Sequence, residues 1–125
     1  MKTIKLGFLG LGNIGGGVVR VIKMNGDHIE KQNGVRFELV RALVLDVNCV
    51  RTDLDMPDTF WTEDVSQIVE ADDIDMIVEA MGGEEPAASF IERALKAGKT
   101  VVSANKAAIA PAWKRLDRAA RESGA

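Results

Sequence analysis

The chain has 125 residues, 46% apolar and 28% charged, with a net charge of −3, the balance of one globular domain able to bury a core. An acidic balance argues against non-specific nucleic-acid binding, which needs a basic face, and no apolar run approaches the about eighteen residues that span a bilayer. Cys49 is the only cysteine, so no intramolecular disulfide forms. The chain opens without a signal-peptide layout, and the cytoplasm is the expected compartment.

Residues 4–9 alternate and then run apolar, the pattern of a buried parallel strand. Ile14, Val18, Val21 and Ile22 follow at helical spacing and predict one apolar helix face. Between strand and helix stand Gly10, Gly12 and Gly15, in the order G-x-G-x-x-G. The first glycine allows the tight turn, the second leaves room for a pyrophosphate, and the third lets helix and strand approach. The free N–H groups at the helix start then face the phosphates. Alone the pattern is weak; between a strand and a helix it reads as a dinucleotide site.

Residues 25–34 carry two turn signals, Asn25-Gly26 and Asn33-Gly34, and predict a polar segment with at most a short helical turn at 28–31. His28, the only histidine, is expected on a surface loop, and no metal site is expected. Residues 37–47, rich in branched apolar side chains, predict the second strand, with Asp46 at its end. An acid there hydrogen-bonds the adenosine ribose and disfavours a 2′-phosphate. A plain strand-capping role for Asp46 stands beside this reading, and Arg51 offers a 2′-phosphate partner, so the cofactor stays open as NAD or NADP. A polar loop over 48–62, broken by Pro57, leads to a short helix predicted over 63–71, with Thr62 as N-cap. Asp72, Asp73 and Asp75 lack calcium-ligand spacing and read as a solvated cluster.

Residues 74–81 predict a strand running into Gly82-Gly83, and glycines at this edge let backbone approach a ligand. Pro86 opens a helix with Phe90, Ile91, Ala94 and Leu95 inward, stopped by Gly98. Residues 100–104 predict a strand ending in Asn105-Lys106, which projects Lys106 from the same edge; the plainer alternative is a solvated lysine opening a helix. Residues 111–123 predict the last helix, with Trp113, Leu116 and Ala120 inward. Strands alternating with helices give an α/β fold of Rossmann type, a parallel sheet with helices on both faces.

Three stretches together resemble the N-terminal cofactor-binding domain of the homoserine dehydrogenase family. They are Gly-Phe-Leu-Gly-Leu-Gly-Asn-Ile-Gly-Gly-Gly-Val-Val (7–19), Asp-Met-Ile-Val-Glu-Ala-Met-Gly-Gly (75–83) with Pro86, and Ala-Leu-Lys-Ala-Gly-Lys-Thr-Val-Val-Ser-Ala-Asn-Lys-Ala (94–107). The resemblance spans essentially the whole chain and implies an enzyme that interconverts L-aspartate 4-semialdehyde and L-homoserine with NAD(P)(H). That reaction belongs to threonine, methionine and isoleucine biosynthesis. It further implies cofactor contacts from Gly10, Leu11, Gly12, Asn13, Ile14 and Gly15 at the pyrophosphate. Asp46 falls at the ribose, and Met81, Gly82, Gly83, Ser103, Ala104, Asn105 and Lys106 on the nicotinamide side. Lys106 matches the catalytic lysine of the family's Asn-Lys pair.

Two departures qualify the likeness. Members favouring NADP often carry arginine just before the acid ending the second strand; here Leu45 leans toward NAD. The family also continues into a substrate-binding and dimerisation region beyond this chain. The expectation is therefore a truncated domain that binds cofactor and turns over little alone, with a homo-oligomer for the complete protein. Another NAD(P)-dependent dehydrogenase with the same nucleotide half, and a stand-alone nucleotide-sensing module, are the alternative readings.

Overall fold

A computed structural model describes residues 2–125. Strand β1 (Lys2–Leu9) carries Leu6 and Phe8 on one face and Leu9 on the other, so both sides of the sheet must be covered. Helix α1 (Asn13–Asn33) covers the first face, with Val19 buried against Leu6 and Phe8. Strand β2 (Val35–Leu43) follows, then two short 3-10 turns, Thr52–Leu54 and Asp58–Phe60, and a two-residue strand β3 (Trp61–Thr62). Leu54 and Phe60 plug the face beside α1 where a crossover helix would otherwise lie. Helix α2 (Ser66–Val69), strand β4 (Met76–Glu79) and helix α3 (Ala87–Lys96) build the second face through Ile68, Val69, Ile77 and Ala94. Strand β5 (Thr100–Ser103) and helix α4 (Lys106–Ser123) complete the chain, and α4 packs on α3 through Ala108, Ala112 and Leu116.

All strand pairs are parallel, in the order β3-β2-β1-β4-β5. The expected sheet is therefore present, with helices on both faces. Its register has a consequence for function. Leu9 lies opposite Leu43 and Glu79, and Glu79 lies opposite Ser103, so four strands end level. The loops that follow them share one edge.

Several elements differ from the sequence expectation. Helix α1 does not stop at Asn25-Gly26: one glycine costs about 1 kcal/mol in a helix, less than breaking a propagating one that keeps Ile22 and Ile29 at least half covered. The helix ends instead at Gly34, in left-handed geometry, whose N–H reaches the Glu30 carbonyl. His28 consequently lies on the exposed side of α1 rather than in a loop. The buried face of α1 is Gly15, Gly16 and Val19, while Ile14 and Val21 are exposed; a Cβ at Gly15 would press on the Gly10 carbonyl and one at Gly16 on the Arg51 guanidinium.

Strand β2 stops at Leu43, so Asp46 falls in the turn beyond it rather than on the strand. The two-residue β3 went unforeseen; its Thr62 is no helix cap, but donates its hydroxyl to Gln67 Oε1 and accepts the Asp64 N–H. Asp64 instead collects the Ser66 N–H and hydroxyl at the start of a shorter α2. Strands β4 and β5 end at Glu79 and Ser103, short of the expected 81 and 104. Helix α4 begins at Lys106, five residues before Pro111, and turns Trp113 outward, 58% exposed, with Ala119 buried in place of Ala120. No helix among the described residues is long and apolar enough to cross a membrane.

Candidate dinucleotide site

The glycine loop leaves β1 at the point where strand order reverses, between neighbours β2 and β4. In open α/β sheets this crevice is where ligands bind. Gly10 takes φ +84, and a Cβ there would lie 3.1 Å from Met81 Cα. Loop and β4 edge are thus packed backbone to backbone. Gly15 is closed in the same way, with a Cβ position 3.0 Å from the Gly10 carbonyl oxygen. Gly12 is the opposite case: a Cβ would meet nothing within 4 Å. Its missing side chain opens space toward solvent directly at the start of α1.

That helix start is left for an anion. Gly12 is the N-cap and offers no capping side chain, and no acid occupies the first turn. The N–H groups of Asn13, Ile14 and Gly15 have no carbonyl one turn earlier to bond, and the helix dipole adds positive potential. A cleft of about 560 Å3 opens beside the loop, lined by Gly10, Leu11, Gly12, Leu45, Asp46, Arg51 and Met81 among others, a size that suits a nucleotide. Leu11 is buried in the core, so only its backbone is offered to a ligand. Ile14 is exposed at the mouth.

The cleft holds both residues that the sequence left in competition. Asp46 shapes its own turn, accepting the Asn48 N–H on Oδ1 at 2.9 Å, and its Oδ2 meets only the Cys49 thiol at 3.7 Å. Turn-former and cleft-lining residue are therefore one and the same. Arg51 lies across the glycine loop, donating from Nη1 to the Gly12 carbonyl at 3.1 Å and from Nε and Nη2 to Asp53. Its guanidinium stands over Gly16, where a Cβ would come within 2.4 Å of Nη1. Asp53 also pairs with Arg20, and the hydrogen bond from Arg51 is the main cause holding its carboxyl down to about 2.

The remaining expected residues lie at or just after the ends of β4 and β5 along the same sheet edge, and of them only Met81 lines the cleft. Met81, Gly82 and Gly83 follow β4; Ala104, Asn105 and Lys106 follow β5. Asn105 is the N-cap of α4, yet its side chain caps nothing. Its amide nitrogen instead donates to the Gly83 carbonyl at 2.7 Å and to Glu79 Oε2 at 3.4 Å. Ser103 donates its hydroxyl to Glu79 Oε1 at 2.6 Å and accepts the Asn105 N–H at 3.0 Å. Glu79 also accepts the Met81 N–H at 2.8 Å. Lys106 is exposed and enters no ion pair among the described residues.

Two participants escaped the sequence reading. Glu79 is buried, 2% exposed, and shares the inward face of β4 with Ile77. Its signal was present: an acid at the inward position of an alternating apolar strand. The Arg51–Gly12 contact, in contrast, joins residues 39 apart in the chain and leaves no local pattern. Among the described residues, no group of three or more His, Cys, Asp or Glu side chains is arranged to hold a metal ion.

A parallel sheet in this order, with a glycine loop at its switch point and an open anion site at the following helix, defines a Rossmann-type nucleotide-binding domain. Residues 10–125 match the family model described as homoserine dehydrogenase, NAD binding domain. The homoserine dehydrogenase of Bacillus subtilis is 35% identical over 124 residues, covering 99% of this chain and 28% of that protein. The Mycobacterium tuberculosis H37Rv enzyme of the same name is 38% identical over 119 residues, covering 95% and 26%. A crystal structure of Staphylococcus aureus homoserine dehydrogenase superimposes with a TM-score of 0.87 at 37% identity, covering 99% of this chain and 31% of that one. The chain belongs to the homoserine dehydrogenase NAD-binding domain family. It spans roughly a quarter of the length of the curated relatives it matches.

Proposed function

We propose that this chain binds NAD(H) or NADP(H) as the cofactor half of a homoserine dehydrogenase. The whole protein then interconverts L-aspartate 4-semialdehyde and L-homoserine. The observation that carries this reading is the level ending of β1, β4 and β5. It sets an open glycine loop, the Met81–Gly83 turn and Lys106 along one edge, on a chain of this family. The dinucleotide, when bound, supplies or accepts the hydride at its nicotinamide ring.

The residues of the chain divide the remaining work. N–H groups of Asn13, Ile14 and Gly15 hold the pyrophosphate, and Gly12 keeps its path clear. Asp46 takes the adenosine ribose. Arg51 is already committed to Asp53 and to the Gly12 carbonyl, and Leu45 is fully exposed. With its charge so neutralised, Arg51 is a weak partner for a 2′-phosphate, which supports NAD as the preferred cofactor. Met81, Gly82, Gly83, Ser103, Ala104 and Asn105 enclose the nicotinamide side. Lys106, the catalytic residue of this reading, presents its ammonium where charge grows on the substrate oxygen and stabilises it. The substrate and the contacts between subunits of a homo-oligomer fall to other parts of the protein.

The test is kinetic. Full-length protein is expected to reduce NAD(P)+ when given L-homoserine, followed by reduced-nicotinamide absorbance. Lys106→Met is expected to lower kcat by about 10²–10³-fold while NADH affinity stays within about threefold, since the lysine acts on the reacting oxygen. Absence of homoserine-dependent turnover, or full turnover by Lys106→Met, contradicts the reading.

A further inference from the structure

A buried carboxylate without a cation beside it needs a reason to be there, because desolvating the charge is costly unless hydrogen bonds replace the lost water. Glu79 has such bonds, and their distribution is informative. Oε1 accepts the Ser103 hydroxyl at 2.6 Å; Oε2 accepts the Met81 N–H at 2.8 Å and the Asn105 amide at 3.4 Å. The three donors come from the end of β5, the turn after β4 and the N-cap of α4. Those segments lie at or just after the ends of β4 and β5 at one sheet edge and meet where Asn105 bonds the Gly83 carbonyl, while Met81 also lines the cleft beside the glycine loop.

The Asn105 amide strengthens the point. Asparagine at an N-cap ordinarily turns back to its own helix. Here it turns away to Glu79 and to the Gly83 carbonyl, leaving the first turn of α4 without a side-chain cap. The sequence thus gives up a local stabilisation in order to tie α4 to the β4 turn. Ser103 closes the ring by accepting the Asn105 N–H. Lys106 is the next residue, and its backbone direction is set by this ring.

We propose that Glu79 is the positioning residue of the nicotinamide end: one buried carboxylate that fixes the Met81–Gly83 turn against Asn105 and so aims Lys106. The inference rests on the cofactor reading above and adds a residue and a division of labour to it. The glycine loop, Asp46 and Arg51 make no hydrogen bond to Glu79; they meet its ring only where Met81 packs against Gly10.

ADP-ribose, which carries the adenosine and pyrophosphate but lacks the nicotinamide, separates the two halves. Full-length protein and its Glu79→Gln and Glu79→Ala variants are titrated calorimetrically with ADP-ribose and with NADH, and kcat and KM are measured with homoserine. ADP-ribose affinity is expected to stay within about twofold of the unmodified protein in both variants. The advantage of NADH over ADP-ribose is expected to shrink about fivefold or more in Glu79→Ala, and kcat to fall about 10-fold or more, the cost of a misplaced reacting group. Glu79→Gln keeps the shape and the Ser103 bond but sets an amide N–H against that of Met81, and an intermediate loss is expected. This variant keeps the test decisive should the alanine form fail to fold.

Folded variants with an unchanged NADH advantage and unchanged kcat overturn the proposal. So does an equal loss for both ligands, which marks general loosening instead of positioning. If the unmodified protein binds neither ligand, the cofactor reading itself fails, and this inference with it.

Discussion

Gly10 and Gly12 stand two residues apart in one loop, and each is a glycine for its own reason. Gly10 holds φ +84 with Met81 pressed against the place of a Cβ. Gly10→Ala is therefore expected to destabilise the fold by about 1–3 kcal/mol, read from the urea midpoint; an unchanged midpoint contradicts the close packing. Gly12 has φ −79 and open space around it, so a side chain there costs the fold little and the ligand much. A second residue-scale expectation concerns Asp53. Its carboxyl, held by Arg51 and Arg20, is depressed to about 2, below an unfolded value of about 3.9. The stability linked to it is thus complete above pH about 4 and lost as pH falls toward 2. The pair is exposed, so the contribution is small. Carboxyl-resolved NMR is expected to show Asp53 titrating near 2; titration near 4 sinks the Arg51–Asp53–Gly12 arrangement. At this scale the sequence disclosed the glycine loop well, because motif spacing is local. It hid Glu79 and the contacts of Arg51, since their partners are brought close only by the fold.

At the scale of elements, the helix α1 shows how local signals compete. Asn25-Gly26 is a turn signal on paper, yet the helix passes through it, since one glycine costs about 1 kcal/mol and Ile29 beyond it is still partly covered. Asn33-Gly34, an identical signal, does end the helix, since a left-handed cap can form there and the strand β2 must begin. Gly26 keeps helical geometry with nothing within 4 Å of a Cβ position. Gly26→Ala is accordingly expected to stabilise the protein by about 0.5–1 kcal/mol, measured by chemical denaturation; destabilisation contradicts an unbroken helix. The start of α4 was hidden in a related way. Pro111 suggested a beginning, but it lies in the second turn, where it forfeits the bond to the Ala107 carbonyl and its ring crowds that carbonyl. The true start, at Lys106, makes that exposed lysine the first residue of a helix three residues after β5, the plainer of the two placements the sequence offered.

At the scale of the whole molecule, the order of strands decides what the domain can do. Alternating strand and helix patterns made the parallel sheet legible, and the right-handed crossover rule left few other topologies. The loop over 48–62 was legible as a stretch without a helix, but its 3-10 turns and β3 were not, because a two-residue strand carries no periodicity. Neither was the level ending of four strands, which follows from pairing register rather than from any stretch of sequence. That register sets the glycine loop and the hydrogen-bonded ring around Glu79 along a single edge. The central claim is that this edge binds a nicotinamide dinucleotide through the opening left by Gly12. Its most direct test is calorimetric titration of the 125-residue chain and its Gly12→Val variant with NADH and with NADPH, beside thermal unfolding of both proteins. Saturable binding by the unmodified chain, tighter for NADH, and its loss in a variant that unfolds at the same temperature, is the expected result. A folded chain that binds neither dinucleotide, or a Gly12→Val variant that binds as well as its parent, contradicts the claim.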